Sequence, residues 1–240
     1  MDASLIKAFV AAATRFVLPP RCLVCGAAGA GNRELCDPCK RMLARNVACC
    51  GRCAIPLPAA IPECEECVAT PRPWADLWVP FVYGWPLDSL EARFKFAGSL
   101  AAGRVLADCW LDTGSPPSFP ELIIPVPLHR SRLRKRGYNQ ALELARPLGR
   151  RLGIPVRHDV LRRARVTGAQ TDLDAAGRAS NVRGAFAVDR PTRARHVALL
   201  DDVMTTGATL SEAATTLVAS GITRVDIWAL ARTPRRKADR

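Results

Sequence analysis

The sequence has no apolar run long enough to cross a bilayer. Charges interrupt every stretch short of the roughly 20 residues a spanning helix needs. Acidic residues are scarce: 22 Asp and Glu stand against 35 Lys and Arg, giving a net charge of +13 over 240 residues. Neither an aromatic RNA-binding signature nor a helix-turn-helix pattern is present, so basic charge is the only feature that addresses nucleic acid. Cysteine is nearly missing outside one segment, because nine of the ten fall between Cys22 and Cys67 and Cys109 stands apart. What remains is a soluble chain with one sizeable core and a small cysteine-rich module.

The opening stretch "MDASLIKAFVAAATRFVLPP" faintly resembles an export signal. Asp2 comes first, Arg15 interrupts and the apolar part is short, so we expect an amphipathic helix over residues 1–19, stopped by Pro19 and Pro20. A cytoplasmic location follows as an expectation.

Between Arg130 and Arg195 there are 17 Lys and Arg against 5 Asp and Glu, nearly the whole excess of the chain. The "RTPRRKADR" end adds a short basic tail. A solvated face is one reading and a phosphate-rich partner the other; charge alone does not choose among nucleotide, pyrophosphate and nucleic acid.

Four Cys-x-x-Cys pairs recur with a period of 14: Cys22 and Cys25, Cys36 and Cys39, Cys50 and Cys53, Cys64 and Cys67. Two intervening residues let one tight turn aim both sulfurs at one ion, and two such turns complete a tetrahedral shell. Residues 20–70 therefore read as a double zinc ribbon with two structural Zn2+ sites. Disulfides are disfavoured by the paired spacing and the expected compartment. Equal gaps leave sequential and cross-braced pairing both open. Cys49 reads as a packing residue, and Gly26 and Gly51 suit the knuckle turns.

Residues 71–240 form the second domain. "PRPWADLWVPFVYGWP" reads as a linker entering a strand, and "LDSLEARFKFAGSLAAGRVLADCWL" as one helix or two short ones, with Lys95 as a solvated lysine. "TGSPPSFP" is a loop. Strands are expected at "LIIPVP", "PVRHDVLRRAR", "HVALLDD" and "VDIWALA", and helices at "YNQALELARPLGRRLG" and "TLSEAATTLVASG". That alternation specifies an α/β fold, a parallel sheet with helices on both faces and its ligand at the carboxyl ends of the strands.

"VALLDDVMTTGAT" places two adjacent carboxylates, Asp201 and Asp202, at one such end. Their repulsion calls for a balancing partner from outside the chain. The loop that follows turns backbone N–H groups and a helix N-terminus toward the crevice, where a phosphate settles. Gly207 permits close backbone approach, while Thr205, Thr206 and Thr209 offer hydroxyls. A capping box between Thr209 and Glu212 is the competing explanation for those two. Carboxylates accept well from vicinal sugar hydroxyls, so acids followed by a phosphate cradle suit a ribose 5-phosphate.

This stretch resembles the phosphoribosyltransferases, whose signature for phosphoribosyl pyrophosphate (PRPP) runs four apolar residues, two acids, two variable residues and Thr-Thr-Gly-x-Thr. Every position matches, with Ala208 at the variable place. "IIPVPLHRSRLRKRGYNQALELA", Gln170, Arg178, "NVRGAF" and the cysteine pairs together resemble the ComF competence family over essentially the whole chain. The resemblance implies a type I phosphoribosyltransferase-like fold behind a double zinc ribbon, a site for PRPP with Mg2+, and a role in DNA uptake. It implies a pyrophosphate loop with Pro127, His129 and Arg130, and a flexible loop over 165–178 from which Gln170 and Arg178 reach inward. Asp201 and Asp202 would be the catalytic pair, holding the ribose and stabilising its oxocarbenium character. For Asn139 and Asn181 a role in the site and a turn or helix cap are equal alternatives.

The acceptor is the weak point, because no base-reading hood can be named in "RTPRRKADR". Two classes stay open at this level. One is an enzyme that moves phosphoribose onto an acceptor. The other is an accessory of DNA uptake that binds single-stranded DNA and DNA-uptake proteins.

Overall fold

The computed structural model describes residues 19–165 and 182–235. The helix expected over residues 1–19 therefore lies almost wholly outside the described residues, and Gln170, Arg178 and Asn181 lie outside them altogether.

Two short helices, α1 (Asp37–Arg41) and α2 (Glu65–Ala69), each begin just after a cysteine of the repeat. The expected linker then contributes β1 (Leu77–Trp78) and β2 (Phe81–Val82). Helices α3 (Leu87–Phe96) and α4 (Leu100–Leu111) follow, separated by a turn in which Ser99 caps α4 through Ala102 N–H at 3.2 Å. Next come β3 (Leu122–Pro125), α5 (Arg130–Arg136) and α6 (Gln140–Leu152). After β4 (Leu161–Arg163) and β5 (Phe186–Val188), the chain ends in β6 (His196–Met204), α7 (Ala208–Ala219) and β7 (Arg224–Arg232).

The main sheet runs β3, β6, β7, with β1 and then β2 pairing along the far edge of β7, and every pairing is parallel. β4 and β5 form a separate antiparallel pair. The segment "PVRHDVLRRAR" thus departs from the expectation of a sheet strand: among the described residues its pairing with the main sheet is the single bridge of Val156 to Ile123, and Leu161–Arg163 pairs with β5 instead.

Successive residues of β6 and β7 point to opposite faces, and both faces are buried. Ala198, Leu200, Trp228 and Leu230 join one core with α3, α4 and α6. Val197, Leu199, Val225, Ile227 and Ala229 join a second core with α7. The ribbons divide the same way. Cys22, Cys36 and Cys39 pack into the first core, and Cys50, Cys53, Cys64 and Cys67 into the second. No helix among the described residues is long and apolar enough to cross a membrane.

Candidate functional site

β6 carries the twin acids beyond its apolar run, and strand alternation separates them. Asp202 shares a face with Ala198 and Leu200, toward α3, and there Lys95 Nζ lies 3.1 Å from its Oδ2. Lys95 also pairs with Glu91 one helical turn back. The reading of Lys95 as a solvated lysine is overturned, and so is the expectation that only an external group balances the acids. Burial works against the charge of Lys95, but Asp202 and Glu91 outweigh it and raise its pKa. Burial pushes the Glu91 carboxyl up to about 7, with the negative charge of Asp202 adding to the shift. Asp201 is raised as well, by burial and then by Asp202. On its own side of the strand, Arg163 is buried and stacks over Phe186 at 5.4 Å; burial and then the like charge of Arg132 lower its pKa against the attraction of Asp201.

Asp201, Asp202, Thr205, Gly207 and Thr209 line one cavity of about 460 Å3 at the carboxyl end of β6. Gly207 adopts φ +79°, a left-handed conformation that disfavours any side chain, and it opens α7 without a side-chain cap. Thr206 Oγ1 instead accepts from Ala208 N–H at 3.3 Å. The capping box does not form: Glu212 Oε1 accepts from Gly184 N–H at 2.7 Å, tying α7 to the turn before β5. Its carboxylate is thus committed away from the Thr209 end of the helix.

The opposite wall is basic and aromatic. The run "RSRLRKR" folds as α5, with His129 as its N-cap accepting from Ser131 N–H and Gly137 as its C-cap. One helical face, Arg132 and Arg136, reaches the cavity together with Leu128, whereas Pro127, His129 and Arg130 are off its wall and Arg130 is exposed. Arg136 donates to Gln140 Oε1 at 2.8 Å and lies 5.6 Å over the ring of Phe96, an exposed aromatic that also lines the cavity. Asn139 caps α6 through Ala141 N–H, donates to Val126 O at 3.0 Å and also lines the cavity. Glu91 and Lys95 escaped the sequence reading. Their four-residue spacing beside the apolar stripe of Leu87, Leu90 and Phe94 was the available signal.

The eight paired cysteines gather as two quartets, Cys22, Cys25, Cys36 and Cys39, and Cys50, Cys53, Cys64 and Cys67. Within each, all ligand atoms lie within 4.8 Å of one another. Pairing is therefore sequential, and the cross-braced alternative is excluded. Tetrahedral Zn–S bonds of about 2.3 Å set neighbouring sulfurs roughly 3.8 Å apart. The observed 3.6 Å between Cys25 and Cys36 and 3.7 Å between Cys53 and Cys64 fit that shell. Cys50 Sγ also accepts from Arg52 N–H at 3.3 Å and Cys64 N–H at 3.2 Å, hydrogen bonds that suit a thiolate. Cys49 belongs to neither quartet. Each quartet is a zinc-binding site with a full set of four sulfur ligands.

Residues 13–68 match the model of the double zinc ribbon domain. DNA utilization protein YhgH of Salmonella typhi is 33% identical over 207 residues, covering 83% of this chain and 90% of that protein. The same protein from Escherichia coli strain K12 is 32% identical over 211 residues, with 85% and 92% covered. Competence protein F of Haemophilus influenzae is 34% identical over 222 residues, with 88% and 96% covered. Among solved structures, a purine phosphoribosyltransferase from Pyrococcus horikoshii Ot3 aligns with a TM-score of 0.28 and 16% identity, over 65% of this chain and 92% of that one. A score so low adds nothing to the topology already described. Sequence likeness of this extent, over a chain that holds two zinc sites and an acid-and-threonine cavity, places the protein in the ComF family, alongside YhgH and competence protein F.

Proposed function

We propose that this chain binds PRPP with Mg2+ at the carboxyl end of β6 and acts in the handling of DNA that its relatives' names describe. The observation that carries the reading is the meeting of Asp201, Asp202, Thr205, Gly207 and Thr209 on one open cavity. The loop and the N-terminus of α7 would take the 5-phosphate. Asp201 and Asp202 would accept from the ribose hydroxyls and favour positive charge developing at the anomeric carbon. Arg132 and Arg136 face the loop across the cavity, where a diphosphate would extend. Among the described residues only the cysteine quartets group as metal sites. Mg2+ would therefore rest on the diphosphate and one of the cavity acids, neutralising the leaving group.

Lys95, 3.1 Å from Asp202, holds that carboxylate in place. Glu91, titrating at about 7, suits acceptance of a proton from an incoming nucleophile. In this reading the protein transfers phosphoribose to an acceptor that enters past Phe96. A second reading, a non-catalytic accessory that binds single-stranded DNA, is favoured by Arg130, Arg134 and Lys135, which α5 exposes outside the cavity.

Titration calorimetry with PRPP and Mg2+ tests the site. Binding is expected in the native chain and none in the double variant Asp201→Ala, Asp202→Ala; equal affinity in the two refutes the reading. Pyrophosphate release across a panel of bases and nucleic acids supports transfer. Single-strand affinity that falls steeply with salt and ignores the double variant supports the accessory.

A further inference from the structure

Arg232, the last residue of β7, is a buried arginine, 5% exposed. It meets carbonyls. Nε donates to Cys53 O at 3.0 Å, and Nη1 donates to Met204 O at 3.2 Å, to Thr233 O at 3.0 Å and to Thr205 O. One planar cation thus joins a zinc knuckle of the second ribbon to the two residues that enter the threonine loop. In a planar trans peptide the C=O and the following N–H point in opposite directions. Holding the carbonyls of Met204 and Thr205 toward Arg232 therefore turns the N–H groups of Thr205 and Thr206 away from it.

A second link runs beside the first. Trp74 is buried, and its Nε1 donates to Arg52 O at 2.8 Å inside the Cys50–Cys53 knuckle. Arg52 in turn donates to Ala75 O at 2.8 Å and Trp74 O at 2.9 Å. A Cβ built at Gly207 would lie 3.6 Å from Trp74 Cη2, so this indole backs the loop where it enters α7. Among the described residues the first ribbon has no such tie. Its ion pairs join Arg33 and Lys40 to Asp112 at the end of α4, on the other face of the sheet.

We infer that the second zinc site and the sugar-phosphate loop are one coupled unit, with Arg232 as the positioning residue between them. The inference rests on the ribose 5-phosphate reading of the loop and adds a regulator to it, the metal occupancy of the second ribbon. Zinc fixes the Cys53 knuckle, the knuckle and Arg232 fix the Met204 and Thr205 peptides, and those peptides set the donors that meet the phosphate. Coupling of this kind is reciprocal: the ligand protects the second zinc by the factor by which that zinc strengthens ligand binding.

The test uses the full-length protein loaded with two zinc ions. Zinc released under a thiol-reactive challenge is followed with a chromogenic chelator, with and without saturating PRPP and Mg2+, while calorimetry records binding in parallel. Two release phases are expected. PRPP should slow one of them by about fivefold or more, a typical allosteric factor, and leave the other unchanged. Cys25→Ser assigns the phases, since it should remove the insensitive one. Arg232→Met should keep two zinc ions, lose the protection and weaken PRPP binding. The wild-type comparison needs no variant and stands if Arg232→Met fails to fold. PRPP binding with both release rates unchanged overturns the coupling alone. Absence of any PRPP binding by the wild type overturns the sugar-phosphate reading, and the coupling with it.

Discussion

The two zinc ribbons share one cysteine spacing and differ in what surrounds them. The first leaves Cys25 exposed and packs its other three cysteines with α3, α4 and α6. The second buries all four and packs beneath the loop that follows β6, where Arg232 and Trp74 join it to Met204, Thr205 and Gly207. A metal shell is specified locally, by turns that aim sulfurs. What the shell supports is specified by the sheet, whose two-residue alternation assigns each ribbon to one face. Equal repeats therefore have unequal consequences: the first ribbon stabilises, and the second also positions.

The largest effects are expected from the ligands themselves. Cys39→Ser and Cys64→Ser should each lower zinc content from two ions to one, and structural zinc binding supplies folding energy outright. Thermal unfolding should fall further for Cys64→Ser, whose quartet is wholly buried. Equal shifts would erase the contrast between the ribbons. Next come two tryptophans, one for each face. Trp78 contacts Trp228 at 5.0 Å and Trp110 at 5.3 Å in the first core, and Trp74 backs the loop in the second. Either change to Ala should cost about 3–5 kcal/mol in urea unfolding. Only Trp74→Ala should weaken PRPP binding by the folded protein. If Trp78→Ala weakens it as much, the division of labour between the faces is wrong.

Lys95→Met should have a smaller effect, confined to the site. Without the ammonium, Glu91 and Asp201 lose a charge that holds their pKa values down, and both take up protons more readily. Loss of a charged hydrogen bond worth about 1.5–3 kcal/mol predicts PRPP affinity roughly tenfold weaker or more. Binding indifferent to the substitution would remove Lys95 from the account.

The smallest effects concern pH, and here the two ends of the sheet oppose each other. At the amino end, burial resists ionisation of Asp226, but hydrogen bonds from Ser118, Arg224 and His196 prevail and hold its pKa down. Its contribution to stability is present above the ordinary carboxylate range and is lost as pH falls through the lowered value. Glu91, raised to about 7, works the other way: its contribution is full below the ordinary range and is lost as pH rises through about 7. Urea midpoints measured against pH should therefore lose slope in the acid limb for Asp226→Asn and near neutrality for Glu91→Gln.

Much of this was legible in the sequence because it is local. The period of 14 exposed the metal shells, and one continuous stretch from Val197 to Thr209 spelled strand, acids and threonine loop. Non-local features stayed hidden. Lys95 and Asp202 are far apart in sequence, and only the packing of α3 on the sheet joins them. Arg232 reads as one more basic residue until β7 sets it between Cys53 and Thr205. The basic run near residue 130 showed charge without showing which helical face meets the cavity, which Arg132 and Arg136 line.

A crystal structure of the protein grown with ribose 5-phosphate tests the central claim most directly. Phosphate density is predicted against the backbone of residues 205–209, with the 2- and 3-hydroxyls on Asp201 and Asp202. Sugar phosphate bound instead along the exposed side of α5, with that loop and both acids untouched, would contradict it.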